Sequence, residues 1–315
     1  LERLDNLEGV NVEVINFSKG IKNFYYLKNF HKNIKDYCRN SEINIIHTYH
    51  RFPEYVAVKV GEELKIKLLG TVLSFVKGFK NVSFKSDKLI TVSNAVSKHL
   101  ITEFHIDPNK IFTMYLPKER FNENYYSSVK SDLGIQNDKK VLLFMGRISF
   151  IKNVDNLLNA YKIVYKNFQN VILLLCGSLE DKKLASMIDN LKIPIKVLKP
   201  RKDNQFLYSV SDLVILPSRV DPFPFVMIEA GSFKKPFIGG NTGGIAEFIE
   251  DGKNGFLVDP EKPQQLAEKI IYLLNNPDFG KKLGENLYKK VNRLCDYNNY
   301  FTEVEKIYNS LLTPV

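Results

Sequence analysis

Cysteine is scarce in this sequence: its three residues, Cys38, Cys176 and Cys295, lie far apart. That spacing excludes a disulfide framework and the paired thiolates of a zinc site. Cys176 follows the apolar run at 171–175 and reads as a buried small hydrophobe, which fits a reducing, cytoplasmic location. None of the five histidines pairs with another at the i, i+4 spacing of a helical zinc site, so no metal is expected. No apolar run approaches the roughly 18 residues of a membrane-spanning helix, and no secretory leader is visible. Charge is not gathered into blocks of one sign either. The net charge is +10, and residues 1–120 carry 19 Lys+Arg against 13 Asp+Glu. With no nucleic-acid motif and no basic block, nucleic acid is not an expected partner. An anionic membrane surface, a phosphorylated acceptor and plain solubility remain as reasons for the basic excess.

What is present suits two ordinary globular units. A chain of 315 residues exceeds what one core comfortably supports. Short apolar runs alternate with helical periodicities, the mark of parallel α/β sheets. Strands are expected at 10–17, 43–47, 67–75 and 88–93, with helices at 21–38, 53–63 and 95–104. A polar stretch at 116–138 reads as the connection. A second set follows, with strands at 141–145, 171–175, 196–198, 213–216 and 236–238. Its helices are expected at 154–167, 184–191 and 204–210 and from residue 226. Residues 263–312 read as helical with one break near Pro277.

Two stretches carry chemistry. Asp221 and Glu229 are eight residues apart, separated by Pro222-Phe223-Pro224-Phe225 and then the apolar start of a helix at Val226. One acid is then offered from a loop and the other from about one turn inside the helix. Taken alone, both have ordinary readings, a loop acid in a Pro-bounded turn and an acid favouring the helix dipole. Gly146-Arg147-Ile148-Ser149-Phe150-Ile151-Lys152-Asn153 lies between a strand and a helix. Gly146 permits a tight turn, while Arg147 and Lys152 bring two fixed cations to a helix N-terminus, which already favours anions. The ordinary reading is a solvated loop; the functional one is a diphosphate site.

The ordered string 211–255, with its upstream Ser211-Asp212-Leu213 and downstream Gly239-Gly240-Asn241-Thr242-Gly243-Gly244 and Asp251-Gly252-Lys253-Asn254-Gly255, resembles the E-x7-E region of the retaining glycosyltransferases of family 4. That resemblance implies the GT-B fold: α/β, with two Rossmann-like domains facing each other across a cleft. The first domain would be residues 1–120, lacking its first strand, Gly-rich loop and helix, on the order of 40–50 residues. The second would be 121–295, with 296–315 a helix packing back on the first. By the same resemblance Arg147 and Lys152, after Gly146, bind the donor's diphosphate, and Glu229 binds the nucleotide's ribose. Asp221 contacts the donor sugar, and the backbone N–H groups of Phe225 and Val226 help to hold the donor.

This sequence departs from the family pattern in three places. Asp221 stands where the family has Glu. Pro224 replaces a Gly and has no N–H to give. At the expected strand end Ile45-Ile46-His47-Thr48-Tyr49-His50, Tyr49 stands where the family's second His faces the donor, with His50 next to it. Either Tyr49 or His50 is a candidate for the cleft. The resemblance implies transfer of a sugar from a nucleotide-diphosphate sugar, as donor substrate with no cofactor, to a saccharide or lipid-linked acceptor. A nucleotide-sugar-binding protein without turnover and a sugar-nucleotide epimerase are the alternatives. Lysines interleave with aromatics at 22–32 and 77–85, marking those stretches for peripheral contact with an anionic membrane, although Tyr26, Phe30 and Ile34 also recur at a core-facing helical spacing.

Overall fold

The structure, a computed structural model, describes residues 24–119, 130–201 and 204–313. The strand expected at 10–17 lies outside the described residues. The first set of elements is α1 (Phe24–Asn40), β1 (Ile45–Thr48), α2 (Arg51–Leu64), β2 (Lys67–Val72), β3 (Lys88–Thr91), α3 (Asn94–Phe104) and β4 (Ile111–Thr113). Its four strands run parallel in the order β1-β2-β3-β4. β4 was not expected, because three residues before a polar connection give no alternation to read.

The second set is β5 (Lys140–Met145), α4 (Val154–Asn167), β6 (Val171–Cys176), α5 (Lys182–Asn190), β7 (Ile195–Leu198), α6 (Asn204–Val210), β8 (Leu213–Leu216), α7 (Phe225–Ser232), β9 (Phe237–Gly240), α8 (Gly243–Phe248) and β10 (Phe256–Val258). These six strands are parallel in the order β10-β9-β8-β5-β6-β7. Residues 141–144 of β5 are wholly buried, as a strand covered on both faces requires. Sequence order reverses between β5 and β8, and in open α/β sheets the crevice at such a switch point receives ligand.

α9 (Pro263–Asn275), α10 (Pro277–Leu294) and α11 (Tyr297–Leu312) are the last described elements. The expected break at Pro277 is present, and a second falls at Cys295-Asp296, where the Asp296 carboxylate accepts from Asn299 N at 2.9 Å. α11 returns to the first sheet: Val304, Ile307 and Leu311 bury against Leu69 of β2 and Ile90 of β3. No described helix is long and apolar enough to cross a membrane.

α11 also reaches the end of β1. His47 shares one ring nitrogen with Tyr308 Oη and the other with Thr71 Oγ1, both at 2.7 Å. Burial pushes its pKa down to about 4. In the unfolded chain a histidine titrates near 6.5, so protons favour unfolding between the two values. The stability from neutral His47 is therefore full above about pH 6.5 and lost as pH falls toward 4. After allowance for partial exposure this amounts to about 2 kcal/mol. His47→Gln should flatten the fall in melting temperature between pH 7 and 4.5 relative to wild type; parallel curves would refute this role.

Candidate functional site at the switch point

The carboxyl ends of β5 and β8 bring the two sequence stretches together. After β5, Gly146 takes φ +139°, with nothing within 4 Å of where a Cβ would stand. Arg147 follows with an exposed side chain. Residues 150–153 make one turn into α4, closed by Asn153 N donating to Phe150 O at 3.0 Å. Asn153, left-handed at φ 63°, donates through Nδ2 to Pro217 O at 2.9 Å and Pro260 O at 2.6 Å, which ties this turn to the end of β8.

The loop after β8 carries Asp221, which is 2% exposed. Lys152 Nζ lies 2.5 Å from its Oδ2, and Ser218 Oγ donates to the same oxygen at 3.2 Å. The two residues sit 69 positions apart in sequence and form one charge pair. Arg219 braces both loops: its guanidinium donates to Phe150 O at 2.6 Å and holds Asp155 in a fork at 2.8 and 3.0 Å. Neither Arg219 nor Asn153 was singled out from the sequence as a site residue. Arg219 lies inside the string that drew attention, two residues before Asp221, and that position was the available signal.

Pro224 is the N-cap of α7, so the helix opens at Phe225, one residue earlier than expected. A proline here removes no N–H from the first turn, whose free donors begin at Phe225 and Val226. Phe225 is half-exposed. Glu229 lies one turn inside and accepts from Tyr208 Oη of α6 at 2.5 Å. Tyr208 is fully buried and stacks on Phe233, and burial together with the Glu229 carboxylate raises its pKa well above the ordinary value. The phenol therefore stays protonated and donates.

α8 was not foreseen, because a glycine pair reads as a turn. Its first turn lies against the Asp221 loop: Gly244 N donates to Asp221 O at 3.0 Å, and a Cβ on Gly244 would lie 2.1 Å from Pro222 O. Only glycine permits that approach.

In the first sheet a cavity of about 110 Å³ opens at the ends of β1 and β2. Tyr49 and His50 both line it, beside Arg51, Glu54, Thr71 and Ser74. Tyr49 stacks on His47 at 4.6 Å between ring centroids. His50 is exposed at the N-cap of α2. The buried Glu54 carboxylate accepts from Phe84 N at 2.8 Å and Ser86 Oγ at 2.8 Å, fixing the loop that forms one wall.

Two parallel Rossmann-like sheets, with polar groups collected at the carboxyl ends of their strands, define a GT-B protein. Residues 127–290 match the model of the glycosyl transferases group 1 family. A glycosyltransferase of Methanocaldococcus jannaschii, itself uncharacterized, is 30% identical over 93% of this chain and 83% of its own length. The chain belongs to the group 1 glycosyl transferases, and glycosyl transfer is the activity this membership supports. The capsular polysaccharide biosynthesis glycosyltransferase CapM of Staphylococcus aureus is 26% identical over 77% of this chain and 69% of its own length. Among solved structures, Anabaena HepE in complex with UDP-glucose superposes with a TM-score of 0.79 at 20% identity, covering 91% of this chain and 82% of that one.

Proposed function

We propose that this chain is a retaining, metal-independent glycosyltransferase of the family 4 type. It moves a sugar from a nucleotide-diphosphate donor to a hydroxyl of a saccharide or lipid-linked acceptor, in cell-surface polysaccharide or glycolipid synthesis. The observation that carries the reading is the convergence of Arg147, Lys152, Asp221 and the first turn of α7 at the switch point between β5 and β8. A diphosphate held there faces two cations and the free N–H groups of Phe225 and Val226. As the bond from the anomeric carbon to the diphosphate breaks, negative charge grows on the phosphate oxygens, and these fixed charges stabilise it without reorganising. Two side-chain cations fill the part a divalent ion would otherwise play. The acceptor hydroxyl attacks from the leaving-group face and passes its proton to a phosphate oxygen. HepE bound to UDP-glucose and the capsular role of CapM support the donor class and the pathway class.

Glu229, oriented by Tyr208, takes the ribose in this reading. Asp221 holds Lys152 and meets the donor sugar, and Tyr49 or His50 meets that sugar from the first domain. Glu229→Gln and Tyr208→Phe should each weaken free nucleotide diphosphate by about tenfold, the scale of one hydrogen bond to a charged group. Asp221→Asn removes a negative charge beside Lys152, so it should tighten free nucleotide while lowering transfer. Equal weakening of nucleotide in all three variants would show the roles misassigned. The activity itself is tested by release of nucleotide from UDP-, GDP- and ADP-sugars with and without saccharide acceptors. Binding of donor with no turnover under any pairing would leave a nucleotide-sugar-binding protein instead.

A membrane-linked acceptor is the reading favoured by the loop after β2. Phe79 is 77% exposed and Val82 43% exposed, between Lys77, Lys80 and Lys85. Arg51 pins the loop by donating to Lys77 O at 3.2 Å and Gly78 O at 3.0 Å. The other marked stretch contributes less, since Phe30 is buried and Ile34 packs beside Cys38. Vesicles containing anionic lipid should co-sediment the protein at low salt, each Lys adding about 1 kcal/mol. Replacing Lys77, Lys80 and Lys85 by Glu should abolish that. Unchanged sedimentation would assign the basic excess to solubility.

A further inference from the structure

The N-terminus of α3, in the first domain, is completed by a side chain from the second. Helix starts leave backbone N–H groups without intrahelical partners. Here Ser93 Oγ accepts from Val96 N at 3.3 Å, the ordinary cap. The first two N–H groups, of Asn94 and Ala95, are instead satisfied by Glu247 of α8, at 3.0 Å to Oε1 and 3.1 Å to Oε2. Asn94 Nδ2 at 2.7 Å and Tyr115 Oη at 2.8 Å donate to the same carboxylate. An anion at a helix N-terminus that also receives two side-chain donors is a strong, directional contact.

The contact is aimed at the Asp221 loop. Ser93 Oγ donates to Pro222 O at 2.7 Å, reaching across to the residue after Asp221. The Tyr115 ring stacks on Phe223 at 4.9 Å and meets Phe248 edge-on at 5.3 Å. Residues 221–223 are thus held by Gly244 of their own domain on one side and by Ser93 and Tyr115 of the other domain on the second.

We infer that Glu247 is a positioning residue for transfer: with Ser93 and Tyr115 it forms a joint that sets the Asp221 loop against the cavity containing Tyr49 and His50. It touches neither the diphosphate site nor that cavity, and acts by fixing one relative to the other. The inference rests on the glycosyl-transfer reading for its kinetic consequence, while the joint itself is tested without turnover.

Three variants of the full chain test it: Glu247→Ala, Glu247→Gln and Tyr115→Phe, the last keeping the stacked ring. The probe is whichever of UDP, GDP and ADP the wild type binds most tightly. Nucleotide affinity should stay within twofold, because the diphosphate site lies within one domain. Transfer should fall at least tenfold in Glu247→Ala, and the ratio of donor hydrolysis to transfer should rise, since a misplaced acceptor side admits water. Glu247→Gln and Tyr115→Phe, which keep part of the contact, should fall between. Small-angle scattering should show a larger maximum dimension for Glu247→Ala than for wild type. If Glu247→Ala lowers the melting temperature but leaves kcat and the hydrolysis ratio unchanged, Glu247 is structural only and the inference fails. Parallel loss of nucleotide affinity would overturn it too, by placing the effect within the second domain. Should wild type turn over no donor, the glycosyl-transfer reading falls, and unchanged scattering dimensions in Glu247→Ala would separately overturn the joint.

Discussion

Arg147→Ala and Lys152→Ala should each lower turnover by about 10²–10³-fold while leaving the fold intact, the loss expected when one preorganised donor of about 2.7–4 kcal/mol is removed from a developing anion. The two should differ in kind. Arg147 is exposed, so its removal leaves no group unpaired. Lys152 pairs with a carboxylate that is 2% exposed, and its removal leaves that buried carboxylate with Ser218 Oγ as its remaining donor among the described residues. Lys152→Ala should therefore also cost stability at neutral pH, as stranded buried charges do. Melting temperature and kcat measured on both variants decide this. Wild-type rates in both would remove the diphosphate assignment.

Gly244→Ala should be nearly as damaging, through sterics. The new methyl would lie 2.1 Å from Pro222 O and 2.9 Å from its carbonyl carbon, both backbone atoms that cannot rotate away. Overpacking of this kind costs about 3 kcal/mol or more, and here it pushes on the segment that follows Asp221. A large drop in melting temperature together with loss of turnover is expected. Gly280→Ala in α10 is the control: its Cβ would stand 3.7 Å from Pro236, in ordinary contact, so that variant should be neutral or slightly stabilising. Similar melting temperatures for the two would show that the Asp221 loop yields easily.

Elements with a strong period were legible in the sequence. α4, α6 and β8 occupy the expected residues: the buried positions of α4 recur at helical spacing, and β8 is an unbroken apolar run between polar flanks. β4 and β10 have three residues each, too few for any period, and α8 begins with two glycines that favour no helix. The candidate site divides in the same way. Arg147, Lys152, Asp221 and Glu229 were legible as residue types at loop and helix starts. Their mutual arrangement was not: the Lys152–Asp221 pair, the Tyr208 hydrogen bond to Glu229 and the Glu247 contact with Asn94 join residues 69, 21 and 153 positions apart. Nothing local in the sequence records a partner so remote.

The return of α11 to the first sheet bears on the order in which the chain acquires its structure. Domains generally form as units during synthesis, the N-terminal one first. In this chain Leu69 and Ile90 are covered by Val304, Ile307 and Leu311, which leave the ribosome after every described strand of both sheets. The six-stranded sheet therefore has all its strands available before the four-stranded sheet receives its last covering helix. Until α11 has emerged, an apolar face of the first-made sheet stays open to chaperones or to a neighbouring nascent chain.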